Sequence, residues 1–80
     1  MTDNIYITFV EKKIDAMEKA LDLGIRRSGM TEELHEALNH CYGIKSLWKG
    51  CNKSMKCVYD TCGRIEIWFF NYDKSIFGSF

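Results

Sequence analysis

Residues 56–72, KCVYDTCGRIEIWFFNY, constrain the fold more than any other stretch, because turn chemistry and side-chain alternation there agree on a β-hairpin. Asp60-Thr61-Cys62-Gly63 offers Asp at the first turn position and Gly where a left-handed residue closes a type I turn with a bulge. A three-residue loop then pairs Asp60 with Arg64, Tyr59 with Ile65, Val58 with Glu66, Cys57 with Ile67, Lys56 with Trp68 and Met55 with Phe69. Successive strand residues point to opposite sides. One side therefore collects Met55, Cys57, Tyr59, Ile65, Ile67 and Phe69, all apolar. The other mixes Lys56, Val58, Asp60, Arg64, Glu66, Trp68 and Phe70.

Two helices are expected ahead of this hairpin. Thr8-Phe9-Val10-Glu11 has the form of a capping box with Ile7 as staple residue, and Val10, Ile14, Met17, Leu21 and Ile25 recur at helical spacing behind it. Helix entry is expected at Thr8, with residues 5–7 extended and Gly29 ending the helix just past Arg26-Arg27. Thr31 followed by Glu32-Glu33 starts a second helix, with Leu34, Ala37, Leu38 and Cys41 as its apolar stripe and Gly43 as its terminator. Residues 44–49 read either as a last turn or as an added strand. Ile76, Phe77 and Phe80 make the last residues too apolar for a free tail. The expected fold is α+β: two antiparallel helices packed on one face of a C-terminal two- or three-stranded antiparallel β-meander, with residues 1–80 forming one domain.

Eighty residues hold one core and little beyond it. Charge is neutral overall but uneven: residues 1–36 carry eight acidic and five basic side chains, and residues 37–59 carry four Lys and no acid. No uncharged apolar run approaches the ~20 residues of a membrane span. The opening MTDNIYITFVEKK lacks a basic region and a small-residue cleavage site, so a cytoplasmic setting with free thiols is expected.

The side chains that carry chemistry do not assemble into a catalytic group. Cys51, Cys57 and Cys62 with His40 or Cys41 lack the paired spacing of structural zinc sites. His40 and Cys41 are helix neighbours about 100° apart and cannot work as a nucleophile and its base. The Gly residues are scattered singly and form no phosphate loop. Neither a metal nor another cofactor is expected, and the chain reads as non-enzymatic.

What remains is surface. Trp68 and Phe70, on the side of the hairpin away from the helices, together with Trp48, Lys49, Lys53 and Lys56, form the expected partner site, in the manner of aromatic anchors at protein interfaces. The function expected is binding to a larger protein, as a small viral inhibitor or accessory factor occludes a site on a host protein, with the chain itself a monomer or homodimer. The alternative is weak nucleic-acid binding by segment 45–56, with Lys neutralising phosphates beside Trp48. A third is a zinc-stabilised module.

Overall fold

Ile7, Val10, Ile14, Met17 and Leu21 fall every third or fourth residue, and a single helix turns all of them inward. The computed structural model describes residues 4–78, which form three α-helices: α1 (Asn4–Ser28), α2 (Glu32–Gly50) and α3 (Met55–Phe77). Gly29, at φ +76°, ends α1 by turning its N–H back to the Ile25 carbonyl at 2.8 Å. Thr31 caps α2 through its hydroxyl, which accepts from the Leu34 N–H at 3.2 Å. Ser54 caps α3 in the same way, accepting from the Cys57 N–H at 3.3 Å.

Cross-helix contacts set the topology. Lys13 lies 3.8 Å from Glu66 and Gly24 packs against Ile76, so α1 and α3 run parallel. Lys45 meets Glu18 at 3.1 Å while Gly24 also touches Leu34, so α2 runs antiparallel to both. One core fills the space between. Val10, Ile14, Met17 and Leu21 come from α1, Leu34, Ala37, Cys41, Ile44 and Trp48 from α2, and Val58, Ile65, Trp68, Tyr72 and Ile76 from α3.

The α+β expectation is overturned: among the described residues there are only helices, and no β-hairpin or meander forms. The reason lies in a longer period. Val58, Thr61, Ile65, Trp68, Tyr72 and Ile76 are all buried, at steps of three or four residues. Over about five turns that stripe buries more than a two-stranded hairpin can, since an isolated hairpin is marginal in water. Gly63 has no positive φ and sits inside α3. Asp60 and Arg64 do meet, at 3.1 Å, but as an i,i+4 helical pair.

Three boundaries also move. Helix α1 begins at Asn4 rather than Thr8, because Ile7 extends the buried stripe by a turn. Gly43 does not end α2, because Ile44 and Trp48 continue its stripe to Gly50; residues 44–49 are helix. Ile76 docks as expected, but as the last core residue of α3 rather than from a tail, and Phe80 lies outside the described residues.

Candidate functional site

The expected partner surface comes apart in the folded chain. Trp48 and Trp68 are core residues, 5% and 2% exposed. Trp68 spends its indole N–H on the Ala37 carbonyl oxygen at 2.9 Å. Lys53, at φ +58° in the α2–α3 connection, is folded back: its ammonium donates to the Trp48 carbonyl and lies 4.3 Å from the Trp48 ring centroid. Lys49 and Lys56 are exposed on different helices. Phe70 alone among the aromatics of that set is outward, 82% exposed. With both Trp side chains in the core, no indole lies free beside the Lys residues to stack on a base.

The structure builds a different site, a groove between α2 and α3 of about 330 Å³ lined by His40, Gly43, Ile44 and Leu47 from one helix and Arg64, Ile67, Trp68 and Asn71 from the other. Its two rims are apolar and exposed, Leu47 at 53% and Ile67 at 62%. Gly43 has nothing within 4 Å of where a Cβ would stand, so the missing side chain keeps the α2 wall low. On α3 the apolar rim continues outward, since Tyr59, Ile67 and Phe70 are exposed at spacings of eight and three around Gly63.

The charges are drawn away from this groove. After Glu36 the only charged residues of α2 are Lys45 and Lys49. Lys45 bonds Glu18 of α1, which raises its pKa through the hydrogen bond, and both Lys line a crevice with Glu11 and Ile14 of α1. Glu66 of α3 likewise reaches toward Lys13 of α1. Arg64 is the one lining residue of full charge, and it is held by Asp60. Beside the groove His40 Nδ1 and the Tyr72 hydroxyl share a hydrogen bond at 2.6 Å. Burial, and then the charge of Glu36, push the Tyr72 hydroxyl pKa up.

Sequence reasoning gives Leu47 no role, reads Gly43 only as a helix terminator and places Ile67 in the core. The signal that finds them is the same helical stripe: once residues 58, 61, 65 and 68 point inward, Ile67 points out. Among the described residues no three His, Cys, Asp or Glu side chains converge as a metal site would require, and no helix is long and apolar enough to cross a membrane. No protein-family model matches the chain, and no curated protein or solved structure is found to be similar to it.

Proposed function

We propose that this chain is a non-enzymatic protein-binding module whose α2–α3 groove receives the apolar face of a helix presented by a larger protein. The observation that carries it is the pairing of two exposed aliphatic rims, Leu47 and Ile67, across a furrow whose only full charge is already paired. A charged ligand would find no free counter-charge there. An amphipathic helix would bury its anchors between the rims, the helix-in-groove mode of recognition. Asn71 and His40, among the lining side chains, would supply the polar contacts that fix its register.

The test compares the wild-type chain with Ile67→Asp, Gly43→Leu and the double variant Lys49→Ala/Lys53→Ala, first in retaining proteins of its own cell and then in titration against the retained protein. Gly43→Leu projects into the furrow from a position where a Cβ meets nothing within 4 Å, and its binding is read only after circular dichroism shows wild-type helicity. Support is a loss of roughly thirtyfold or more, about 2 kcal/mol, for both groove variants at low and high salt, with the Lys pair little changed. Steep salt dependence with a strong Lys effect would overturn the reading in favour of nucleic acid. So would light scattering that shows a dimer lost in Ile67→Asp, since the groove would then hold a second copy.

A further inference from the structure

The charges of the bundle are sorted along its length. Lys13 of α1 meets Glu66 of α3, and Glu11 and Ile14 of α1 share a crevice with Lys45, Trp48 and Lys49 of α2, so residues 4–16 and 41–66 make up one half of the molecule. That half holds seven basic and four acidic side chains, while residues 17–40 and 67–78 hold four basic and six acidic. Each helix gives the basic half an exposed lysine: Lys12 from α1, Lys49 from the last turn of α2 and Lys56 from the first turn of α3. Exposed apolar side chains gather at the same end. Ile5 and Phe9, one helical turn apart on α1, flank a shallow furrow with Asn4, Thr8 and Lys12, and Tyr6 is exposed beside them.

We propose that this end of the bundle docks on an anionic lipid surface, with Ile5 and Phe9 entering the headgroup boundary and Lys12, Lys49 and Lys56 set against the lipid phosphates and carboxylates. Charge complementarity selects the occupant: lysines near an anionic leaflet gain from its surface potential, and exposed aliphatic and aromatic tips gain by leaving water. Lysine stems are long enough to keep their ammonium groups among the headgroups while the helix tip goes deeper. The Tyr6 ring, apolar with a polar end, suits the headgroup level. No helix among the described residues is long and apolar enough to cross a membrane, and docking of this kind requires none.

A nucleic acid would use the lysines but not the tip. Ile5 offers no ring for a base to stack on, and Phe9 already carries the Lys13 ammonium 5.2 Å from its ring centroid. None of these side chains lines the α2–α3 groove, so the two surfaces stand or fall separately.

The experiment sediments the full chain with vesicles of phosphatidylcholine alone, or of phosphatidylcholine and phosphatidylserine in equal parts. Binding to the mixed vesicles should be at least about tenfold tighter and should weaken as salt rises. Lys12→Ala, Lys49→Ala and Lys56→Ala should each weaken it by about fivefold. The double variant Ile5→Ser/Phe9→Ser should weaken it by at least about tenfold, with circular dichroism to show that the helices persist. If they do not, Phe9→Ala is the milder change and should act in the same sense. Equal binding to both vesicles, or binding to neither, would overturn the proposal. So would an Ile5→Ser/Phe9→Ser protein that stays folded and docks as tightly as the wild type, or a single-stranded oligonucleotide bound more tightly than the mixed vesicles. Light scattering that shows salt-sensitive growth in mass without lipid would also overturn it, since the basic end would then meet the acidic end of a second copy.

Discussion

The indole of Trp68 donates its N–H to the backbone carbonyl of Ala37 at 2.9 Å, so that α3 is pinned to α2 by a bond from a side chain that is 2% exposed. Around it Phe69 stands edge-on at 5.1 Å between ring centroids and Tyr72 tilted at 5.6 Å. The largest side chain of the core is therefore both packed and satisfied, as a buried Trp requires. Trp68→Ala should destabilise by about 3–5 kcal/mol, read as a lower urea midpoint. Trp68→Phe, which keeps a ring and loses the bond, should cost less. A binding defect in Trp68→Ala would report loss of the core and of the groove wall that Trp68 helps form, rather than of an exposed anchor.

Ile65 and Ile67 separate a helix from a strand in one comparison. In a strand they would share a side. In α3 they lie about 200° apart, and Ile65 is 1% exposed where Ile67 is 62%. Ile65→Ala should cost about 2–5 kcal/mol, and Ile67→Ala no more than about 0.5 kcal/mol. Denaturation curves of the two variants check this, and similar losses for both would contradict the helical register.

The same two residues show why only part of the fold was legible. In α1 and α2 the apolar stripe stands among charged residues, and Thr31-Glu32-Glu33 announces a helix start, so one pattern fits. In residues 55–70 ten of sixteen positions are apolar or aromatic, and periods of two and of 3.6 both find matches. Ser54 does cap α3, yet no acid follows it in the first turn, and Asp60 followed by Gly63 mimics a turn. Only the run on to Tyr72 and Ile76 separates the two readings, because a short hairpin has no use for a stripe that long. The groove failed for the same cause: it needs Trp68 inside and Ile67 outside, and the strand register exchanges them.

Tyr72 gives the fold a pH dependence of known sign. Burial raises its pKa in the folded chain, so folding favours the neutral hydroxyl. A raised folded pKa supplies stability that is fully present below the unfolded value, about 10, and is lost as pH climbs through the folded value. Tyr72→Phe should cost about 1 kcal/mol near neutrality through loss of the bond to His40. It should also flatten part of the alkaline decline. Melting temperatures of both proteins between neutral and strongly alkaline pH test this: the gap between them should narrow as pH rises, and a constant gap would count against it.

Three helical glycines should answer differently to the same substitution. A Cβ at Gly24 would stand 3.2 Å from the Ile76 Cα and 3.3 Å from Leu34 Cδ2, so all three helices meet where that side chain is missing. The nearest of these atoms is backbone and cannot rotate away. Gly24→Ala must push α3 outward, and overpacking of about 1–3 kcal/mol outweighs the gain in helix propensity. At Gly43 and Gly63 nothing lies within 4 Å, so Ala there gains about 0.5–1 kcal/mol by restricting the unfolded chain. Gly24→Ala should therefore melt below the wild type, and Gly43→Ala and Gly63→Ala above it. Gly43→Ala carries a second consequence, because the stabilised chain also has a raised α2 wall. If the groove holds a partner helix, that variant should be the more stable protein and the poorer binder, a combination that loss of folding cannot produce.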